Sequence, residues 1–190
     1  MSAQRWTLLV PLKPLSAAKS RLRGALPGVR HEDLVLALAQ ATIEAATASP
    51  LVRRLIVITN EALDFDSLPD PHSDLNDALR EAARLISGPV AVIPADLPAL
   101  RTAELTQALS LSERRSFVAD AEGTGTVLLA APQGDLNPHF GVGSAAAHET
   151  SGALRLHGDW PTLRRDVDTE ADLRAAQALG WSHAGHRLHV

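Results

Sequence analysis

Trp6-Thr7-Leu8-Leu9-Val10-Pro11-Leu12 is a nearly continuous apolar run that stops at Lys13. It is short, rich in Leu and Val, and shows no polar alternation. Those features predict a strand buried on both faces, as in a parallel sheet. Toward the C-terminus, residues 31–49 place Leu34, Leu38, Ala41 and Ala45 at helical spacing. Residues 55–59 form a second strand-like run, and residues 89–94, 116–119 and 126–131 repeat the pattern. A helix capped by Asp74 turns Leu75, Ala78, Leu79, Ala82 and Ile86 inward. Another starts near Thr102 and carries Leu105 and Leu109. The last starts at Thr169, whose spacing to Asp172 is that of a capping box, and ends before Gly180. Strands alternating with helices predict an α/β fold with a mostly parallel sheet. Residues 1–190 suit a single domain, with residues 64–73 as the best candidate for a mobile loop.

Composition narrows the chemistry. The chain of 190 residues is 45% hydrophobic and 21% charged, the profile of a globular protein and not a disordered one. With no cysteine there is no disulfide framework, thiolate zinc site, iron–sulfur cluster or cysteine nucleophile. No apolar run approaches the roughly 20 residues of a membrane span. The first residues lack the form of a signal peptide, so the expected address is the cytoplasm. The net charge of −4 makes no general demand for nucleic acid or a membrane, and neither is expected as a partner. The charge is unevenly spread, however. Residues 1–30 hold six basic side chains and no acidic one, while the other 160 carry 12 basic and 22 acidic, a balance of −10. Both of the chain's lysines, Lys13 and Lys19, fall in that basic segment.

Ligands of open α/β sheets gather beyond the carboxyl ends of the strands, which directs attention to the loops. The loop after the first strand, residues 13–22, offers Lys13, Lys19 and Arg21 with hydroxyls and amides, a set suited to a triphosphate. It contains neither the dinucleotide nor the Walker-type glycine pattern. Asp96, just after the third strand-like run (residues 89–94) and held by Pro98, is placed to ligate magnesium. Asp166 and Asp168, two residues apart before the last helix, would point the same way from an extended backbone. The run Asp120-Ala121-Glu122-Gly123-Thr124-Gly125-Thr126 and the later Phe140-Gly141-Val142-Gly143-Ser144, with His148, offer small residues that let amides approach an anion. Gly143–Ser144 should open a helix there. A serine hydrolase triad from Ser144 and His148 is disfavoured, because the nucleophile-elbow pattern is absent. The three histidines of residues 183–190 read as a tail and not as a metal site.

Taken together, residues 10–22, 95–100, 117–130, 140–148 and 166–173 resemble the guanylyltransferases of deazaflavin coenzyme F-420 biosynthesis. Those enzymes join GMP to 2-phospholactate or phosphoenolpyruvate. The resemblance implies a nucleotide-diphosphosugar transferase-like (Rossmann-like) fold. It places GTP phosphates on Lys13 and Lys19 with Arg21 nearby, and magnesium on Asp96, Asp166 and Asp168. It makes Asp96 and Lys19 catalytic and sets the phosphorylated three-carbon acid on Thr126, Gly141 and Ser144. Two departures stand out. A second acidic residue that related transferases often carry is replaced by Pro94, and a Gly-Leu-Asn turn appears as Asp74-Leu75-Asn76, where Asn76 would help hold the nucleotide. An arginine-rich, lysine-poor composition suggests a GC-rich bacterial genome, whose family members favour phosphoenolpyruvate. The competing expectations are a sugar-phosphate or molybdopterin nucleotidyltransferase of the same fold, and a non-catalytic nucleotide-binding relative. A homo-oligomer stays open.

Overall fold

The computed structural model describes residues 4–72 and 74–183; the expected tail of residues 183–190 lies outside these but for His183. Within these residues seven strands form one sheet: β1 (Trp6–Pro11), β2 (Val52–Ile58), β3 (Ser67–Leu68), β4 (Val90–Val92), β5 (Ser116–Ala119), β6 (Thr126–Ala131) and β7 (Leu154–Arg155). Among the described residues five α-helices pack around it: α1 (His31–Thr47), α2 (Leu75–Arg84), α3 (Thr102–Ser110), α4 (Ser144–Thr150) and α5 (Glu170–Ala178). Asp74 caps α2 by accepting from the Asp77 amide, and Thr169 with Asp172 closes a complete capping box on α5. Among the described residues no helix is long and apolar enough to cross a membrane.

The strand order is β3-β2-β1-β4-β6-β5-β7. β1 pairs in parallel with β2 and β4, β2 with β3, and β5 with β7. Only β6 is reversed, antiparallel to both β4 and β5. The reversal matters for function. β5 runs with β4, so the carboxyl ends of β1, β4 and β5 share one sheet edge. The start of β6, at Thr126, falls on that same edge. The sequence thus reaches the ligand side of the sheet four times within one short arc.

Side chains alternate between two cores, as strand geometry requires. Leu8 and Val10 of β1 face a layer containing Ala39 and Ile43 of α1 and Leu105 and Leu109 of α3. Leu9 faces Leu79 and Ala82 of α2 and Ala145 of α4. Leu8 and Leu9 are wholly buried, one on each face. Each such leucine contributes about 1.5–3 kcal/mol by leaving water. α5 lies outside the first layer, where Leu173 and Ala176 pack with Leu34 and Leu38 of α1. Residues 64–73, expected as a loop, contribute the edge strand β3, tied to β2 by a twofold Arg54–Asp66 ion pair.

Candidate active site

A cleft of about 490 Å³ opens at the shared edge, lined by Lys13, Lys19 and Arg21 from the loop after β1 and by Asp96 and Asp168 opposite. Three devices fix the loop. Leu15 N–H donates to Glu61 Oε1 at 2.8 Å, His31 Nε2 donates to the Ala18 carbonyl at 2.7 Å, and wholly buried Leu22 anchors the short 3-10 helix Ser20–Leu22. Lys19 itself adopts a left-handed backbone (φ 54°, ψ 43°), uncommon for a residue with a Cβ. That turn drives its side chain inward, where the ammonium donates to both Asp96 and Asp168. Burial works against the Lys19 charge, but the two carboxylates outweigh it and hold the pKa above the ordinary lysine value. Lysine, not arginine, suits this spot because its charge is a compact point on a slim stem.

Asp96 follows β4, and its position is set from α1. Thr42 Oγ1 accepts from the Leu97 amide at 2.9 Å while donating to the Leu38 carbonyl. The Asp96 carbonyl accepts from the Val167 amide at 3.0 Å, which docks the Asp166–Asp168 segment against it. That segment is aimed from further back. Buried Glu104 of α3 accepts from the amides of Thr162 and Leu163 at 2.9 Å each. Arg164 grips the carbonyls of Ala119 and Asp120 at the end of β5. Burial, reinforced by Asp96 and Asp168, pushes Asp166 up to about 7. Burial also pushes Asp96 up, with Lys19 opposing.

A divalent cation fits this arrangement. Asp96 Oδ1 is buried and takes no hydrogen bond among the described residues, a state that normally demands a partner. The donors are all carboxylate oxygens, the choice of hard cations such as magnesium. Asp166 has a second acidic neighbourhood as well: oxygens of Asp120, Glu122 and Asp166 lie within 4.8 Å of one another, a set that could hold a metal. Asp120 and Glu122 are metal-ligand candidates that no sequence motif marked. Their position directly after β5 was the signal available.

The glycine-rich run behaves differently from expectation. Its amides do face an anion, but that anion is the chain's own Asp120, which accepts from Thr124 N and Gly125 N at 2.9 Å each. A Cβ on Gly125 would stand 2.3 Å from Asp120 Oδ2, so only glycine closes this turn.

Thr126, Ser144 and His148 are buried together beyond that turn. Ser144 Oγ donates to Thr126 Oγ1 at 3.0 Å, and His148 Nδ1 meets the same oxygen at 2.9 Å. The Ser144 amide donates to the Gly141 carbonyl at 3.1 Å. Of the three residues expected to hold the acid, Gly141 is exposed, Thr126 lies at the sheet edge, and Ser144 directs both its donors inward. Asn76, expected beside the nucleotide, has both edges of its amide committed to Phe140. The structure therefore gathers Lys13, Lys19, Arg21, Asp96 and Asp168 in one cleft with Asp166 alongside. Thr126, Gly141, Ser144 and Asn76 form a neighbouring, internally bonded group.

A family model described as "Guanylyl transferase CofC like" matches residues 6–174. A phosphoenolpyruvate guanylyltransferase of Salinispora arenicola is 53% identical, covering 93% of this chain and 90% of its own. One from Geodermatophilus obscurus is 46% identical over 95% of this chain and 92% of its own. Among solved structures, a protein described as a nucleotide-diphospho-sugar transferase from Desulfovibrio desulfuricans G20 superposes with a TM-score of 0.62. It covers 97% of this chain and 99% of its own at 14% identity, a likeness of fold alone.

Proposed function

From the CofC-like guanylyl transferase family, to which this chain belongs, we propose that it transfers GMP from GTP to phosphoenolpyruvate and releases pyrophosphate. The product is enolpyruvoyl-2-diphospho-5'-guanosine, on the route to deazaflavin coenzyme F-420. The observation that carries the reading is the cleft in which Lys19 meets Asp96 and Asp168 beside Lys13 and Arg21.

The chemistry asks little covalent help from the protein. An oxygen of the acid's phosphate attacks the α-phosphorus of GTP. A new P–O bond forms there as the bond to the bridging oxygen of the β-phosphate breaks, and the electron pair leaves with pyrophosphate. A phosphate monoester is largely ionised at pH 7, so the nucleophile needs no general base. The enzyme's task is to hold two anions in line and offset their repulsion.

Lys13, Lys19 and Arg21 bind the triphosphate in this reading, with the Lys19 ammonium following the charge onto the departing pyrophosphate. Asp96, Asp166 and Asp168 would hold magnesium, which supplies charge neutralisation across the phosphates when bound. Thr126 offers its hydroxyl to the acid, with Gly141 as exposed backbone beside it and Ser144 acting through Thr126. Asn76 serves by fixing the loop at Phe140 and does not touch the base. The chain works as one unit in the cytoplasm, without nucleic acid or membrane.

The experiment is pyrophosphate release from GTP and magnesium with phosphoenolpyruvate, 2-phospholactate, 3-phosphoglycerate and a sugar 1-phosphate in parallel. Turnover with phosphoenolpyruvate above the other acceptors is expected. Preference for the sugar phosphate would overturn the reading.

A further inference from the structure

We propose that His148 is a positioning residue that turns the Thr126 hydroxyl into a one-way hydrogen-bond donor toward an anionic oxygen of the acceptor substrate. This rests on the proposed function in one respect: Thr126 is taken to touch the phosphorylated acid.

His148 is fully buried on α4, with the rings of Phe117, His139 and Phe140 around it at centroid distances of 5.8, 6.0 and 5.1 Å. Its two ring nitrogens have different partners. The His139 backbone N–H points at Nε2 from 2.9 Å. A backbone N–H can only donate, so Nε2 must be the bare nitrogen, and the single proton of a neutral ring sits on Nδ1. Burial, with the charges of His139 and Arg115 adding to it, holds the His148 pKa down at about 4, and the ring is neutral at physiological pH. Nδ1–H faces Thr126 Oγ1 at 2.9 Å and donates to it, with the Ser144 backbone as a further hydrogen-bond partner of the ring.

Ser144 Oγ donates to the same oxygen at 3.0 Å. A hydroxyl oxygen has two lone pairs, and both are now filled. The hydroxyl hydrogen of Thr126 is left with one remaining direction, and among the described residues no acceptor takes it. Thr126 opens β6 at the ligand edge of the sheet. Whatever docks there meets a hydrogen and never a lone pair. A carboxylate or phosphate oxygen is welcomed, while a hydroxyl or amide seeking an acceptor finds none. Without the histidine, Thr126 would be free to rotate its hydrogen onto an internal acceptor, and the discrimination would be lost.

The test compares His148→Gln, His148→Asn, Thr126→Val and the double variant His148→Gln/Thr126→Val, with KM for phosphoenolpyruvate and for GTP measured separately. Asparagine places an amide N–H near the Nδ1 position and keeps a donor for Thr126; glutamine reaches instead toward the Nε2 position. His148→Gln should raise KM for the acid about tenfold while KM for GTP stays near the parent's. His148→Asn should recover most of that loss, and His148→Gln should add nothing in the Thr126→Val background. An unchanged acid KM in His148→Gln, an equal rise in both KM values, or multiplying effects in the double variant would each overturn the proposal. A parent-like acid KM in Thr126→Val overturns the acid-site assignment and this proposal together. A raised acid KM in Thr126→Val with none in His148→Gln overturns this proposal alone. Nitrogen-15 NMR of the parent's histidines gives a check that needs no folded variant: His148 must show the Nδ1–H tautomer, and an Nε2–H ring refutes the argument.

Discussion

Asn76 and Phe140, 64 residues apart, hold each other through both edges of one side-chain amide: Nδ2 donates to the Phe140 carbonyl at 3.0 Å and Oδ1 accepts from its N–H at 2.7 Å. The first turn of α2 is thereby fastened to the loop that carries Gly141 and leads into α4.

Asn76→Ala removes two neutral hydrogen bonds, each contributing about 0.5–1.5 kcal/mol net. For a domain of this size that amounts to a fall of a few degrees in Tm. The loop's aim should suffer more than the fold, so KM for the acid should rise further than KM for GTP. Calorimetry and two-substrate kinetics on the same preparation check both statements.

Asp96→Asn keeps the shape of the side chain and deletes its charge. The buried orphan Oδ1 loses its claim on a cation, and Lys19 keeps only Asp168. Turnover should fall by orders of magnitude, because electrostatic groups of this kind act on the transition state. Tm should hold, since a buried carboxylate costs more to keep than a buried amide. Near-normal pyrophosphate release would count against the assignment.

Lys19→Arg retains the charge but enlarges and flattens its carrier, while Lys19→Ala deletes it. Both should raise KM for GTP, the alanine variant much more than the arginine one. If both bind GTP as the parent does in titration calorimetry, Lys19 serves only to pair Asp96 and Asp168 and does not hold the triphosphate.

Asp166 predicts a pH dependence in the metal-free chain. Its carboxyl, pushed up to about 7, holds a proton in the folded state that the unfolded chain has already released above its ordinary value of 3.8. Between those two values the unfolded state binds fewer protons, so stability falls as pH rises. Metal affinity moves the opposite way, because a cation binds the ionised form. Apparent magnesium affinity should weaken about tenfold per unit below pH 7 and level off above it. Asp166→Asn should flatten both the Tm profile and the binding profile.

The alternation of buried strands and helices was legible because Val, Leu and Ile runs and helical spacing leave separate marks, and because Thr169 with Asp172 is a local signal. The edge strands β3 and β7 left none: two residues have no period to read. At the site, Lys19 and Asp96 were legible as strand-end chemistry. Asp120 was hidden for a different reason. Its partners, Thr124 and Gly125, lie only four and five residues on, and the same glycine-rich string would serve a foreign anion equally well. The link from His148 to Thr126 spans 22 residues and two elements, and no local spacing announces it. Glu104 and Arg164 shape the site only through backbone atoms far along the chain.

The contact of Lys19 with Asp96 and Asp168 also gives the site an internal counterion. Two carboxylates that would otherwise repel are already neutralised in part by the chain itself. Chelation should therefore abolish turnover yet leave Tm little changed, and activity should return when magnesium is added back, without refolding. On the proposed reading the metal would serve the reaction and not the architecture.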